Sequence, residues 1–138
     1  MITQEGGIAV RLINKTGAPT VKGSVVHPSS AVNNAFVLAE IGVPDPIGVV
    51  YEDGIPDGDM AWVVINGVAE VLFVSGTTRA HMARTFLSTE AGSFVAGQAL
   101  SEPLPSSPFA TDKHFCEIGH VLETRIGAGL AKCTLHFN

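Results

Sequence analysis

The fold class of this chain is decided by residues 61–74, which read AWVVINGVAEVLFV. Asn66-Gly67 lies between two apolar runs, and this dipeptide favours a two-residue β-hairpin because both turn positions require a positive φ. We therefore predict a hairpin in which Ile65 faces Val68 across the turn. The alternative is one long strand that carries a bulge at Gly67.

Short apolar segments separated by turns recur along the rest of the chain, and the β-branched residue valine occurs 16 times against 9 leucines. Such residues favour strands, whereas the 15 glycines and 8 prolines separate them. The predicted strands are residues 8–14, 20–27 with Gly23 as a possible bulge, 35–39, 47–51, 117–125 and 130–137. The last of these alternates in hydrophobicity, so we expect one buried face made of Ala131, Cys133, Leu135 and Phe137.

Thr77 or Thr78 is placed to cap a short helix that runs through Phe86. Residues 88–113 are rich in Ser, Pro, Gly and Thr, and the prolines predict a long irregular surface loop rather than a central strand. The predicted fold class is all-β: a compact antiparallel β-barrel or sandwich of about eight short strands, with a long proline-rich loop and at most one short helix. We expect residues 1–7 to form a flexible N-terminal arm and residues 8–138 to form a single β domain.

Composition and charge exclude several functions. The 138 residues are 46% hydrophobic and 15% charged, with a net charge of −5, so a clustered basic surface for nucleic acid is not expected. No apolar run reaches the roughly 18 residues that a membrane-spanning helix needs, and the N-terminus lacks the basic and apolar regions of a signal peptide. We therefore expect neither direct nucleic-acid binding nor a membrane partner.

The segment 114–120, which reads HFCEIGH, carries the candidates for a metal site. On a regular strand His114, Cys116 and His120 would share one face, and two imidazoles with a thiolate can hold zinc. The spacing is unlike that of structural zinc sites, and Gly119 interrupts the register, so ordinary histidines beside a buried cysteine are the favoured interpretation. Cys116 and His120 also lack the third, orienting group of a catalytic nucleophile–base pair.

The second cysteine and an acidic turn carry weaker signals. Cys116 and Cys133 lie on neighbouring predicted strands, and without an export signal we expect thiols rather than a disulfide. Four acidic residues crowd one turn, where they could attract calcium; they are Glu52, Asp53, Asp57 and Asp59. Their spacing does not fit the alternating ligand positions of a helix-flanked calcium loop, and Asp and Gly are what a tight turn selects. We therefore expect no cofactor.

Several stretches resemble one group of proteins, and together they span most of residues 8–138. They are 11–17 (RLINKTG), 21–26 (VKGSVV), 47–54 (IGVVYEDG), 62–64 (WVV), 67–71 (GVAEV), 114–123 (HFCEIGHVLE) and 135–138 (LHFN). In these stretches the chain resembles small β-rich virion proteins of tailed bacteriophages, of the capsid decoration, or cement, type.

The resemblance implies a structural protein rather than an enzyme. It would be made in the host cytoplasm and bind the outer surface of the expanded head, with the major capsid protein and further copies of itself, as a homotrimer, for partners. Each copy would bridge several shell subunits, so that weak contacts add through effective concentration. The N-terminal arm would contact the shell through Met1, Ile2, Thr3, Gln4 and Glu5. The alternatives are a phage fibre, spike or receptor-binding β module and, third, a small β-barrel that binds a metal or another ligand.

Overall fold

Nine β-strands run through the residues that the computed structural model describes, which are 1–104 and 112–137. The strands are β1 (Gly7–Asn14), β2 (Val25–Pro28), β3 (Ala35–Leu38), β4 (Gly48–Val50), β5 (Met60–Phe73), β6 (Met82–Arg84), β7 (Leu100–Glu102), β8 (Glu117–Val121) and β9 (Gly129–Leu135). The helical elements of this part of the chain are two short 3-10 turns, Ser88–Glu90 and Asp112–Cys116. The predicted all-β class is thus confirmed, and neither of these turns has the length or apolarity to cross a membrane.

β5 is one uninterrupted strand, so the predicted Asn66-Gly67 hairpin is wrong and the alternative, a long strand with a bulge, is right. The bulge is visible in the pairing of β5 with β1. Opposite the step from Ile8 to Ala9 the ladder skips Ile65, which is therefore the extra residue.

The positive φ that suggested a turn at Gly67 instead allows β5 to approach the start of β1 closely. Gly67 has φ +85°, and a Cβ at this position would lie 2.5 Å from the carbonyl oxygen of Gly6. It pairs with Gly7 of β1 on one side and with Leu135 of β9 on the other. Gly67 is therefore the point at which β5 exchanges one neighbour for another.

β5 joins two groups of strands. Its first half closes a ring with β1, β3, β2 and β4, because β1 pairs with both β3 and β5. Its second half pairs with β9, which is followed by β8, β6 and β7. One pair departs from the predicted antiparallel pattern, since β1 and β3 run parallel, with Ile13 opposite Ala35.

Two apolar clusters occupy opposite faces of the ring strands. Successive residues of a strand point to opposite faces, and accordingly Val49 belongs to one cluster and Val50 to the other. The smaller cluster, around Phe36, draws only on the ring strands and their loops, so it fills the ring. The larger cluster also contains Ile118 of β8, so it joins the ring to the second group of strands.

The predicted helix between Thr77 or Thr78 and Phe86 is wrong, because this segment contains β6. All three residues of β6, Met82–Arg84, are buried. The strand is paired on both sides, by β7 and by β8. Two neighbouring ladders and complete burial outweigh a weak helical pattern.

The strand predicted over residues 20–27 begins only at Val25, because Gly23 makes a turn. Gly23 has φ +87°, and a Cβ on it would lie 2.8 Å from the backbone nitrogen of Leu72. Its own N–H donates to Val50 O, and its carbonyl accepts the Leu72 N–H. Gly23 therefore lies between β4 and the second half of β5, a close approach that only glycine permits.

The loop predicted over residues 88–113 also needs correction, because it includes β7 and the buried Ala99. Residues 105–111, which carry two of the prolines behind that prediction, lie outside the described residues. The predicted strand 117–125 ends at Val121. The strands predicted over 8–14, 35–39 and 47–51 are confirmed as β1, β3 and β4, and the alternation along β9 is confirmed with buried Ala131, Cys133 and Leu135.

β6 also buries a charge. Arg84 is 1% exposed, and its Nη1 and Nη2 each donate to a Glu90 oxygen at 2.7 Å. Its Nε lies 3.0 Å from Glu102 Oε1, and Lys113 Nζ lies 3.2 Å from the same oxygen. The hydrogen bonds from Arg84 lower the pKa of Glu90. Burial raises the pKa of Glu102, but Arg84 and Lys113 together outweigh burial and lower it.

Candidate functional site

Three side chains converge on a solvent-facing side of β8 and β9, and we call them the His–Glu cluster: Glu117, His120 and His136. His136 Nε2 lies 3.1 Å from Glu117 Oε1, and His120 Nε2 lies 3.5 Å from the same oxygen. The two Nε2 atoms are 3.3 Å apart. The side chain of Glu117 is 14% exposed, and those of His120 and His136 are 40% and 48% exposed, so the cluster opens to solvent on its histidine side.

A bulge in β8 brings Glu117 and His120 to the same face. Residues three apart on a regular strand point to opposite faces, but against β6 the register of β8 shifts at Ile118, which is an extra residue. Gly119 completes the bulge with φ +153°, and a Cβ on it would collide with the carbonyl oxygen of Thr134. The sequence therefore needs glycine at this position to aim both side chains outward.

The third member of the cluster follows from the regular alternation of β9. His120 pairs with Thr134, and His136 is two residues further along, so His136 shares the face of His120. Of the three residues, only His120 was among the metal ligands predicted from the sequence. The polar face of the last strand was the available signal for His136, whereas Glu117 is found only once the bulge is known.

The other two predicted metal ligands do not join this group. Cys116 is 3% exposed and belongs to the buried residues, away from the solvent-facing cluster. His114 lies in the 3-10 turn Asp112–Cys116, and its side chain is outside the described part of the structure. Among the side chains that the structure describes, the residues close enough together to hold a metal ion are Glu117, His120 and His136.

The two cysteines are buried thiols at different heights of the sheet. Cys133 pairs with Val121 at the far end of β8, whereas Cys116 ends the 3-10 turn that precedes β8. The two thiols are therefore not neighbours in the sheet, and neither forms a disulfide. Burial, with a smaller contribution from the Glu123 charge, raises the pKa of Cys133 to about 12, so this thiol is not a nucleophile at neutral pH.

The acidic turn is used to hold neighbouring loops. Asp53 Oδ1 accepts the backbone N–H of Lys22 at 2.7 Å, and Asp57 Oδ1 accepts that of Gly17 at 2.8 Å. Glu52 Oε1 lies 3.5 Å from the Trp62 nitrogen. These contacts support the interpretation of a turn whose carboxylates cap backbone donors.

The N-terminal residues fold back onto β1. Met1 and Ala9 exchange two backbone hydrogen bonds, at 3.0 and 2.8 Å, so Ile2 and Ile8 face each other as a non-hydrogen-bonded pair. The side chains of such a pair share one face, and Val10 lies two residues beyond Ile8 on the same face. The exposed fractions are 80% for Ile2, 51% for Ile8 and 36% for Val10. We call these three residues the N-terminal apolar patch.

A cleft of about 440 Å³ lies beside β2 and β3, and His27, Val32, Val37 and Val43 are among the residues that line it. His27 is 5% exposed, and its Nε2 has no hydrogen-bond partner among the described residues. Burial lowers the pKa of His27, although a hydrogen bond with the backbone of Asp45 opposes this effect. His27 is therefore a neutral side chain at neutral pH.

Comparison with known proteins finds a similarity of fold. No protein-family model matches the chain, and no curated protein matches it in sequence. The structure is similar to that of the N base of the head fiber protein gp8.5 of bacteriophage phi29, with a TM-score of 0.60 and 14% sequence identity. The similarity covers 94% of this chain and 93% of the phi29 chain. At this identity the likeness shows a shared fold, and it extends over both strand groups.

Proposed function

We propose that this chain is a structural protein of a phage virion that binds the outside of the head as a decoration protein. The observation that carries the proposal is the fold shared, over nearly its whole length, with the base of a phage head fiber. The sequence resemblance to virion proteins of the decoration type supports the same class. A protein of this kind works by contact with a lattice, and it needs no reaction centre.

The N-terminal apolar patch is the proposed contact with the major capsid protein. Ile2 is 80% exposed, although its backbone is fixed against β1 by hydrogen bonds of neighbouring residues. An exposed isoleucine on an ordered backbone contributes burial energy on binding with little loss of backbone entropy. Thr3, whose hydroxyl accepts the Gly7 N–H at 2.8 Å, holds the turn that presents this residue. Of the five predicted shell contacts in the arm, residues 1–5, we therefore assign the main apolar contact to Ile2.

Binding to shells tests the class of function. Purified protein is mixed with expanded, emptied heads and with compact precursor shells of the phage that encodes it, and sedimented protein is measured. We expect binding to expanded heads only, and the homotrimer that the sequence resemblance implies would give three times the mass of one chain in sedimentation equilibrium. Equal binding to both shells, or binding to neither, would contradict the decoration role.

Two isoleucine variants test the contact surface. Ile2→Ser should weaken shell binding by roughly 2 kcal/mol, or about thirtyfold, because burial of one large apolar side chain is lost. The matched control is Ile126→Ser, since Ile126 is 97% exposed but lies in the connection between β8 and β9. Equal losses in both variants would remove the N-terminal patch from the interface.

The base of a head fibre is the second candidate, and the likeness to the phi29 head fiber base favours it. The two candidates differ in what lies above the bound domain. Cryo-electron microscopy of particles that carry this chain should show compact knobs for a decoration protein. Elongated density rising from each bound domain would favour the fibre base instead.

A further inference from the structure

We propose that the His–Glu cluster is a zinc site, in which Glu117, His120 and His136 supply three ligands and a water molecule completes the coordination. The cluster plays no part in the proposed capsid contact, which lies at the N-terminal apolar patch. The two proposals therefore fail or succeed separately.

The distances between the ligand atoms fit a tetrahedral ion. Zinc with bonds of about 2.0–2.1 Å to nitrogen and oxygen holds neighbouring ligand atoms about 3.3–3.4 Å apart. The three separations in the cluster are 3.1, 3.3 and 3.5 Å. All three edges of one tetrahedral face are thus already formed, and each histidine contributes the same ring atom, Nε2.

The chemistry of the donors also favours zinc. Two imidazoles and one carboxylate form a mixed nitrogen–oxygen set, which zinc accepts and which calcium and magnesium, with their preference for oxygen, do not. The carboxylate carries one negative charge, which offsets one of the two positive charges of the zinc ion. Because both histidines are about half exposed, the remaining position opens to solvent and water can fill it.

The backbone around the cluster is built for this convergence. Glu117 and His120 share a face only because Ile118 is an extra residue in β8 and Gly119 takes a conformation that other residues rarely adopt. Bulges that re-aim side chains in this way are common beside functional sites. An ordinary pair of surface histidines would not require such a bulge.

Metal binding to four variants tests the site. Zinc affinity is measured by competition with a chromophoric zinc indicator, and the geometry is read from the visible spectrum of the cobalt(II) form. We expect one zinc per chain and an intense tetrahedral cobalt spectrum for the unaltered protein. His120→Asn and His136→Asn should each weaken zinc binding more than tenfold. Glu117→Gln should weaken it less, because the amide oxygen of glutamine can still bind zinc, although more weakly than a carboxylate.

His81→Asn is the matched control, because His81 bonds to Ser101 Oγ at 3.1 Å and lies outside the cluster. Zinc should raise the Tm of the unaltered protein and of His81→Asn, since an ion that binds only the folded state stabilises it, and it should leave the Tm of His136→Asn unchanged. Trp62 fluorescence is used to confirm that each variant is folded. In a folded variant the cysteine thiols stay buried and cannot bind the added metal. The proposal is overturned if the unaltered protein binds no zinc, which would leave a hydrogen-bonded histidine pair, or if the cluster variants bind it as tightly as His81→Asn.

Discussion

Arg84 and Glu90 form a two-bond ion pair, with both nitrogen–oxygen distances at 2.7 Å, and the guanidinium is almost completely buried. Removing the arginine would leave Glu90 and Glu102 without their main partner. Arg84→Met should therefore lower the free energy of unfolding by about 3 kcal/mol, as measured by urea denaturation. Arg79→Met, at an exposed arginine, should change it by less than about 0.5 kcal/mol. Similar losses of unfolding free energy in the two variants would mean that the buried ion pairs stabilise the protein no more than an exposed arginine does.

The same network predicts how stability depends on acid. Glu90 and Glu102 have lowered pKa values in the folded protein, so their contribution is complete above the ordinary glutamate pKa and is lost as the pH falls through the lowered values. Urea midpoints should therefore decline steeply below about pH 5. Arg84→Met should show a shallower decline in this range, and an unchanged slope would contradict the assignment.

A substitution at Gly67 tests the close approach at which β5 passes from pairing with β1 to pairing with β9. Gly67→Ala should cost roughly 3 kcal/mol, because it adds a clash with Gly6 O to the strain of a left-handed backbone. Gly54→Ala is the matched control, since Gly54 has φ +80° but open space around its Cβ position, and it should cost only about 1 kcal/mol. Equal urea midpoints for the two variants would show that the close approach is unimportant.

His27 predicts a second dependence on pH, at a higher range. Its pKa is lowered by burial, so the unfolded chain binds a proton more readily, and stability falls as the pH drops through the ordinary histidine value of about 6.5. His27→Gln removes this titration. With a chelator present, the urea midpoint should differ less between pH 7.5 and 5.5 in the variant than in the unaltered protein; an identical difference would argue against a neutral His27. These two pH values lie about one unit above and one unit below the ordinary histidine pKa.

Because β5 belongs to both strand groups, we expect the two groups to unfold together. Trp62, the single tryptophan, lies in the ring half of β5, while Cys116 and Cys133 are buried in the second group. The urea midpoint of tryptophan fluorescence should equal that of thiol reactivity toward an aromatic disulfide reagent. Thiols that react at a clearly lower urea concentration would reveal a second group that opens alone.

The sequence predicted those elements whose signal is local. β1, β3, β4 and the alternation of β9 depend on short apolar runs bounded by turn residues, and such runs are visible without knowledge of partners. The Asn66-Gly67 dipeptide misled because a positive φ serves a bulge as well as a turn, and the choice between them was made by contact with Gly6 and Gly7. β6 was missed because three residues buried between two ladders carry no periodicity of their own.

The candidate sites divide in the same way. His120 and the polar face that contains His136 could be recognised from the sequence, because both follow from residue type and alternation. Glu117 joins them through a one-residue shift at Ile118, and such a shift depends on how β8 pairs with β6. No local pattern in the sequence reports that pairing.

The pairing of Gly67 with Gly7 on one side and Leu135 on the other brings the start of β1 and the end of β9 to the middle of one strand. Two strand spacings separate Gly7 from Leu135, which is about 10 Å, so a short peptide linker can join these two strands. The exposed turn at Gly127, with open space around it, offers a place to cut. The β domain is thus already arranged for circular permutation, with β1 and β9 joined directly and the new ends at the turn between β8 and β9.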